Sequence, residues 1–424
     1  MQSELSLNVQ QSIRPGKLCD TYYPSAENSE KQSAATVEDN RFFVAVGSGN
    51  PSSGSSATLT FNPNQGLGEV IVTLQLAPIV DCSGLQLPAG WGYQLIRRIG
   101  YRYGSSQLYY INGAQNAIQA LSLCEDSGKK QQLYNLGGQA LNPADFADAN
   151  KCTAYVYLRL PHSSPALSGG SLPFPTDVLT APLQIQLDFA EFNTVFTAQG
   201  STPVPTGLNF AQANFTQVTM QNASDLVARR FDMATHALTI PLPEGWTQES
   251  LQFPVTTGSD GSFQVSLTGC KAGDLRKLRV WFSLPSDVPG PSGINNNFLW
   301  YGPSQITFAI NGLIYMDSRQ GSWALTNLLR RRTPPSVVAS QLSGATVPAV
   351  NTPFSSQWVE IDLGQPRAIG DTGEPSLVHG VPVMNSVLSL SGKLGAASTN
   401  YLVNVEYVLN CSWLASRGSA EFVF

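Results

Sequence analysis

Charged side chains are scarce in this sequence. Lysine, arginine, aspartate and glutamate make up only 12% of its 424 residues, whereas ordinary soluble domains carry roughly 25%. Intrinsic disorder of the whole chain is excluded, because 42% of the residues are hydrophobic and the net charge is only −5. The shortage of glutamate and lysine, together with scattered prolines, excludes a coiled coil. A negative net charge also argues against the chain as a whole being an electrostatic partner for nucleic acid.

Long apolar runs and targeting signals are missing as well. No stretch approaches 18 consecutive apolar residues, so no membrane span is predicted. The first residues, MQSELSLNVQQSIRPGK, lack the basic-then-apolar pattern of a signal peptide. Surface charge favours solubility as a free monomer. A chain with so little charge is therefore expected to pack against copies of itself.

The cysteines are few and widely spaced. No two of them form a CxxC motif, which argues against a zinc or redox site. A chain of this length does not need disulfides to build a core. We therefore expect free and mostly buried thiols at all six positions, which are Cys19, Cys82, Cys124, Cys152, Cys270 and Cys411.

Catalytic motifs are absent from the sequence. It contains no GxSxG elbow, no HExxH, no P-loop and no GxGxxG. His162, His236 and His379 fall in unrelated loops or junctions and are expected to be ordinary polar groups. Glu360 and Asp362 lie two apart on a predicted strand, as a glycosidase pair could, but a solvated strand face is the favoured interpretation. We predict no catalytic, cofactor-binding or metal-binding residues, and no enzyme activity.

Two further motifs have local explanations. The arginines at positions 330–332 end a predicted helix, where the helix dipole attracts positive charge. This explanation is favoured over contact with nucleic acid or a carboxylate. Asn214, Asn222 and Asn410 begin N-x-S/T sequons. Without a signal peptide, these asparagines are expected to stay unmodified.

What the sequence does contain is a succession of β-strand patterns, punctuated by 37 glycines and 28 prolines. Helices are predicted over 114–123 and 322–332, with a short one over 142–149 opened by Asn142, and Asn112-Gly113 is a predicted turn. Apolar and polar residues alternate in the other segments. The predicted strands cover 41–46, 56–61, 69–79, 93–104, 106–113, 153–161, 181–189, 214–221, 251–255, 262–267, 275–285, 305–312, 313–317, 357–364, 385–392, 401–409 and 420–424.

The pattern occurs twice. A shift of 207 residues aligns 54–121 with 261–328, and a shift of 204 aligns 183–187 with 387–391. Sequence identity is at chance level, so the evidence is the order and spacing of the elements. Each half is about 200 residues, too long for an immunoglobulin module of ~100 residues but suited to an eight-stranded jelly roll. We predict an N-terminal arm (1–40), a first jelly roll (41–235) and a second (236–424).

Two tandem jelly rolls, each with a helix after a hairpin, resemble the double jelly-roll major capsid proteins of the tectivirus, adenovirus and large nucleocytoplasmic DNA virus lineage. LPAGWGYQLIRRIGYRYGSSQLYYINGAQ (87–115) is similar to their apolar strand and glycine-containing hairpin before a helix. PSQITFAINGLIYMDSRQGSW (303–323) looks like the second copy. The resemblance covers residues 41–424. It implies an all-β fold of two tandem eight-stranded jelly-roll β-sandwiches with short helical insertions.

The resemblance also implies a function. Three chains would form a pseudo-hexameric capsomer of an icosahedral shell around double-stranded DNA, with short tower loops at 122–150 and 329–356. The implied partners are other copies, neighbouring capsomers, minor capsid or penton proteins, and internal membrane or core proteins. Sequence-specific nucleic acid and cofactors are not among them. The implied location is the virion, after synthesis in the host cytoplasm or nucleus.

Two alternatives remain at this stage. A tandem jelly-roll carbohydrate-binding protein or glycosidase could use Trp91, Trp300 and Trp323 to stack on sugars, although core or interface positions are favoured for them. A spike or penton-type minor capsid protein is the other alternative. The duplication argues against it, because such components generally need one jelly roll.

Overall fold

Alternating apolar side chains along the strands build two β-sandwiches, one in each half of the chain. The computed structural model describes residues 35–45, 50–61, 66–79, 82, 84–87, 90–122, 136–159, 181–198, 203–220, 238–241, 246–285, 301–317, 358–363, 380–394, 398–416 and 419–423. No helix among these residues is long and apolar enough to cross a membrane.

The first sandwich consists of two four-stranded antiparallel sheets. One has the strand order β1-β10-β3-β7, the other β2-β8-β5-β6, and β4 pairs with β9 beside them. Among its described residues are also two α-helices and two short 3-10 helices, Pro143–Ala147 and Phe192–Thr194. Its elements are β1 (Ala35–Ala45), β2 (Ser56–Phe61), β3 (Gly66–Leu76), β4 (Leu85–Gln86), α1 (Trp91–Leu95), β5 (Ile96–Tyr103), β6 (Ser106–Asn112), α2 (Gly113–Ser122), β7 (Thr153–Leu158), β8 (Leu183–Phe189), β9 (Thr197–Ala198) and β10 (Leu208–Met220).

The second sandwich repeats this arrangement. Its sheets have the orders β13-β21-β15-β18 and β14-β20-β16-β17, with β12 pairing with β21 and β19 with β15. A further three-stranded sheet has the order β11-β22-β23. The strands are β11 (Leu238–Pro241), β12 (Trp246–Thr247), β13 (Leu251–Thr256), β14 (Ser262–Leu267), β15 (Asp274–Ser283), β16 (Gln305–Ile310), β17 (Leu313–Asp317), β18 (Trp358–Asp362), β19 (Val381–Pro382), β20 (Leu388–Lys393), β21 (Asn400–Leu409), β22 (Ser412–Ser416) and β23 (Ser419–Val423).

The two sandwiches share one topology. In each, eight strands form two sheets whose members occur in the same order along the chain, so that β1, β10, β3 and β7 correspond to β13, β21, β15 and β18. The strands β2, β8, β5 and β6 correspond to β14, β20, β16 and β17 in the other sheet. This confirms the predicted fold of two tandem eight-stranded jelly rolls.

Buried side chains from both sheets fill each sandwich. In the first, Leu59 lies opposite Ile185, and Ile185 lies opposite Tyr101 on the next strand. In the second, the ring of Phe263 meets that of Phe282 edge to face at 5.2 Å, which joins the two sheets. Each fully buried large apolar side chain contributes roughly 1.5–3 kcal/mol, so burial of this kind drives the pairing of the sheets.

The number of residues that separates corresponding positions in the two halves varies along the chain. Tyr101 corresponds to Phe308 at the predicted shift of 207, since Tyr101 lies opposite Ile185 and Phe308 lies opposite Leu390. By the same pairings, Ile185 of β8 corresponds to Leu390 of β20, which is a shift of 205 residues. The inward residues of β2 and β14, such as Leu59 and Val265, correspond at a shift of 206. The predicted alignment is thus wrong by one residue in these strands, because loops of unequal length change the shift while sheet pairing preserves the inward face.

The turn of the first hairpin differs from the prediction. The turn between β5 and β6 is at Gly104, whose φ is 52°. Asn112, predicted to start a turn, instead caps helix α2, since its Oδ1 accepts the N–H of Gln115 at 2.8 Å. The helix predicted at 114–123 is confirmed as α2. In the second half, Asn311-Gly312 does form the hairpin turn, with φ values of 51° and 80°.

Two other local predictions have different outcomes. The strand predicted from residue 93 begins at Ile96, after helix α1, and an irregularity between Ile96 and Arg98 breaks its alternation. Arg97 is therefore exposed, although strict alternation from Tyr101, which is buried, would place it on the buried side. The short helix opened by Asn142 is confirmed as a 3-10 helix with a capping box.

Several predicted features can be located only in part. Strand β1 begins at Ala35, six residues before the predicted strand. Leu141, within the predicted tower loop 122–150, is buried and bridges to Leu87, so this part of the loop belongs to the sandwich. The helix 322–332 and the loop 329–356 lie outside the described residues.

Among the described cysteines, Cys82 and Cys152 are free and buried, and Cys270 and Cys411 are free and half-buried, whereas Cys19 and Cys124 lie outside.

Candidate functional site at the junction of the two sandwiches

The tryptophans and histidines singled out in the sequence form no cluster among the described residues. Trp91 is fully buried in the first sandwich, which leaves no ring face for a sugar. Asn214 lies in β10 and Asn410 directly follows β21. The other candidates lie outside the described residues: Asn222, His162, His236, His379, Trp300, Trp323 and the arginines at 330–332.

The prediction that Glu360 and Asp362 lie on a solvated strand face is wrong for Glu360. Its side chain is buried, because the outer face of its sheet is covered by the first sandwich. Arg279, opposite it on β15, donates from Nε to Glu360 Oε2 at 2.9 Å. Lys277 Nζ lies 3.7 Å from Glu360 Oε1. Asp362 lies opposite Lys277 in the strand register. The carboxylate of Glu360 pairs with cations rather than lining a substrate cleft.

Glu360 and Arg279 belong to a row that crosses three strands. Arg279 lies opposite Glu406 on β21, and its Nη1 donates to Glu406 Oε2 at 3.2 Å. Glu406 has no exposed surface at all. With Lys277, two cations balance two carboxylates. That balance matters, because a buried charge without a partner is far more costly than a paired one.

Helix α2 of the first sandwich covers this row. The side chain of Gln119 donates from Nε2 to Glu406 Oε1 at 2.7 Å. The hydroxyl of Thr247 donates to the same oxygen, also at 2.7 Å. Both carboxylate oxygens of Glu406 are therefore hydrogen-bonded, and one of the donors comes from the other half of the chain. This satisfies the buried charge and fixes the helix against the sheet.

The first turn of α2 makes a second set of contacts with the segment before β13. Gln115 donates from Nε2 to the carbonyl of Gln248 at 2.7 Å, and its Oε1 accepts the N–H of Ser250 at 2.8 Å. Asn112 Nδ2 donates to Ser250 Oγ at 2.7 Å. The buried amide of Gln115 thus binds an unpaired stretch of backbone as a neighbouring strand would.

The opposite side of α2 is held by its own sandwich. Asn116 Nδ2 donates to the carbonyl of Tyr157 at 2.9 Å, and Asn116 Oδ1 accepts the N–H of Arg159 at 3.0 Å. Because Gln115, Asn116 and Gln119 are all buried, three amides that would normally face water are used as structural contacts. The helix therefore connects two rigid β layers.

An exposed rim borders the junction. Arg98 Nε lies 3.6 Å from Glu249 Oε2, and the guanidinium of Arg98 stands 3.7 Å from the centre of the Tyr110 ring. Strand β23 contacts β6 beside this rim. Exposed ion pairs of this kind contribute little energy, so the rim adds little to the stability of the contact.

The polar groups of the junction act as structural contacts that hold the two sandwiches together. The carboxylates are neutralised by guanidinium and ammonium groups, and within the described ranges no three His, Cys, Asp or Glu side chains are grouped to hold a metal ion. No motif in the sequence singles out Arg279, Glu406, Gln115 or Gln119. One signal was present, because a charged residue in an apolar strand such as YLVNVEYVL needs a partner when buried.

Comparison with solved structures shows where this architecture occurs. The PBCV-1 virus capsid contains a chain that superposes with a TM-score of 0.57 at 8% identity, over 92% of this chain and 97% of that one. A Sputnik virophage chain gives 0.53 at 12% identity, over 92% and 89%. The Faustovirus major capsid protein gives 0.51 at 8% identity, over 95% and 94%.

These likenesses establish the fold, which is the double jelly roll of viral major capsid proteins. They extend through both halves of the chain, since more than nine-tenths of it is covered in each case. No protein-family model matches the sequence, and no curated protein matches it. Because the sequence identity is so low, the similarity to these structures lies in strand order and packing. The two halves of this chain resemble each other in the same way, since their sequence identity is also at chance level.

Proposed function

We propose that this chain is a viral major capsid protein, three copies of which form a pseudo-hexameric capsomer of an icosahedral shell around double-stranded DNA. The observation that carries the proposal is the matched pair of eight-stranded sandwiches within one chain. Three chains with two similar units each supply six similar units around a threefold axis. A closed ring of this kind leaves no free interface within the capsomer.

The junction supports a structural role. A chain that supplies two units of a shell must hold them at a constant angle, and the buried row around Arg279 and Glu406 does this at the contact. The low charge of the chain supports close packing as well, because interface cores are depleted in charged residues. We therefore propose a structural, non-enzymatic protein without catalytic, metal or cofactor residues.

The division into an arm (1–40) and jelly rolls at 41–235 and 236–424 is part of the proposal. All pairings among the described strands join residues on the same side of residues 221–237, which supports a join there. Partners proposed beyond other copies are neighbouring capsomers, minor capsid or penton proteins, and internal membrane or core proteins. The proposed location is the virion capsid, with synthesis in the host cytoplasm or nucleus.

The test is the mass of the purified chain in solution by light scattering. We expect three times the chain mass of 45.5 kDa, and pseudo-hexagonal particles by electron microscopy. A monodisperse monomer over a wide concentration range would overturn the proposal. A glycan array and a hydrolase panel test the carbohydrate alternative, and we expect no hits in either.

A further inference from the structure

The sequence contains two Asn-Gly dipeptides, and the fold places them in different surroundings. Asn112-Gly113 and Asn311-Gly312 each follow an isoleucine at the end of a strand, β6 in the first sandwich and β16 in the second. Asn112 caps helix α2, whereas Asn311-Gly312 is the two-residue loop between β16 and β17. The chain thus carries the same dipeptide once at the start of a helix and once in a hairpin turn.

An Asn-Gly dipeptide can react with itself in water. The amide nitrogen of the glycine loses its proton to a base in the solvent and attacks the side-chain carbonyl carbon of the asparagine. A bond forms between this nitrogen and this carbon, the bond from the carbon to Nδ2 breaks, and Nδ2 takes a proton from solvent and leaves as ammonia. Water then opens the cyclic imide at either carbonyl, which gives aspartate or isoaspartate. Glycine favours the attack because it has no Cβ atom to shield its nitrogen.

The surroundings of Asn311-Gly312 suit this reaction. Both residues are exposed, so base and water reach them. A Cβ atom on Gly312 would have no described neighbour within 4 Å, which leaves the glycine room to turn toward the side chain. The N–H of Val387 donates to Asn311 Oδ1 at 2.8 Å and polarises the carbonyl that is attacked. Asn311 Nδ2 donates to Ser386 Oγ at 3.2 Å, so the leaving group lies beside a hydroxyl.

The same reaction is hindered at Asn112-Gly113. Gly113 is buried, and a Cβ atom there would lie 2.2 Å from the carbonyl oxygen of Ile96 and 2.5 Å from that of Tyr93. The side-chain amide of Asn112 has partners like those of Asn311, since its Oδ1 accepts a backbone N–H at 2.8 Å and its Nδ2 donates to a serine hydroxyl at 2.7 Å. Space and solvent access therefore distinguish the two sites, because the hydrogen bonds of their side chains are alike.

We propose that Asn311 is a site of spontaneous covalent modification, at which attack by Gly312 converts the asparagine into aspartate and isoaspartate in the folded protein. The residues beside it are exposed and apolar, since Leu313 is 64% and Val387 is 65% exposed. The product adds a negative charge to this apolar turn and loses the hydrogen bond that Nδ2 donates to the neighbouring loop. Isoaspartate also lengthens the backbone of the loop, so the modification changes both the charge and the shape of this end of the sandwich.

The test incubates the full chain in mildly alkaline buffer and follows both dipeptides by mass spectrometry of the digested protein. Replacement of the amide by a carboxylate raises the mass of the peptide, and chromatography separates its aspartate and isoaspartate forms. The same incubation in urea is the reference, because unfolding makes both dipeptides accessible. Asn311→Gln is the matched control, since its longer side chain keeps an amide but does not readily form the imide.

We expect Asn311 in the folded chain to react at least about tenfold faster than Asn112, because a local opening that costs about 1.4 kcal/mol slows a reaction by this factor. In urea the two rates should be alike, and Asn311→Gln should show no mass increase in the peptide that contains position 311. Equal rates at the two sites in the folded chain would overturn the inference, as would unequal rates in urea or a mass increase in the control. Each of these outcomes leaves the capsid proposal standing, since that proposal is tested by the mass in solution.

Discussion

Gln119 donates a 2.7 Å hydrogen bond to Glu406, a residue 287 positions away in the sequence. The bond joins a helix of the first sandwich to a fully buried carboxylate of the second. Glu406 is held in turn by Arg279 and Thr247. The angle between two similar β units thus depends on a small polar network, which gives the junction a specificity that apolar packing alone would not provide.

Replacing Arg279 should be among the most damaging changes at the junction. Arg279→Met keeps most of the volume but leaves Glu360 and Glu406 without their shared cation. Breaking a buried ion pair in this way costs about 3–5 kcal/mol. The free energy of unfolding, measured by urea titration, should fall by that amount.

The matched control for Arg279 is Glu249→Gln at the exposed rim. Glu249 pairs with Arg98 at 3.6 Å, and 46% of its side chain is exposed. Loss of an exposed ion pair costs less than about 1 kcal/mol. If both variants lost the same free energy of unfolding, the expectation that burial makes the ion pairs of Arg279 more important than the exposed pair would be wrong.

Removal of the Gln115 side chain should weaken the coupling between the two sandwiches. Gln115→Ala leaves the carbonyl of Gln248 and the N–H of Ser250 without the partners they have now. Each unsatisfied buried group costs about 1–3 kcal/mol. Calorimetry should show a lower unfolding temperature and a transition that separates into two, since the halves then unfold less cooperatively.

Gln139→Ala serves as the control for this prediction, because Gln139 is exposed. Its stability should remain within about 0.5 kcal/mol of the wild type. One cooperative transition in Gln115→Ala, at the wild-type temperature, would show that these bonds do not couple the sandwiches.

Gly138 should tolerate no side chain. Its φ is 118°, and a Cβ atom there would lie 2.4 Å from Nε1 of the buried Trp91. Gly138→Ala therefore combines backbone strain, which costs about 1–2 kcal/mol, with overpacking, which costs about 1–3 kcal/mol. We expect a loss of at least about 2 kcal/mol in urea unfolding.

Gly312 separates these two effects. Its φ is 80°, but a Cβ atom there would have no neighbour within 4 Å. Gly312→Ala should therefore cost only the backbone strain, about 1–2 kcal/mol. A larger loss at Gly312 than at Gly138 would contradict the predicted clash with Trp91.

The protein should lose stability at alkaline pH. Burial raises the pKa of the Cys152 thiol to about 11 and that of Cys270 to about 12. Above the ordinary thiol pKa the unfolded chain releases these protons while the folded chain keeps them, so rising pH favours unfolding. The contribution is complete below about pH 8.5 and is lost as the pH rises toward the folded values.

Urea midpoints measured between pH 7 and 10.5 test this dependence. Burial also raises the pKa of Tyr101 and Tyr407, which steepens the decline. The variant Cys152→Ala/Cys270→Ala should have a shallower slope than the wild type over the same range. A midpoint that does not change with pH in the wild type would contradict the prediction.

Much of the fold could be predicted from the sequence because strand periodicity and turn residues act locally. The strands at 56–61, 262–267 and 313–317 have the predicted bounds. The capping pattern around Asn142 also predicted its 3-10 helix. Errors arose where a local pattern has two solutions. Asn112-Gly113 suits a turn, but Asn112 caps a helix here, because the chain had already turned at Gly104.

The candidate site was much less predictable. Glu360 in an alternating strand suggests a solvated face, and nothing in the surrounding residues indicates that a helix 240 positions earlier covers it. Burial of a sheet's second face depends on which other element packs there. That is a property of the tertiary structure alone.

The sequence by itself determined most of the described strands, the duplication and the all-β class, since apolar periodicity and chain length act through local geometry and burial. The tertiary structure decided the one-residue changes in register, the packing of the two halves and the partners of each buried charge. Such choices depend on long-range contacts such as that of Gln119 with Glu406, where hydrogen bonding has to offset the cost of removing a charge from water.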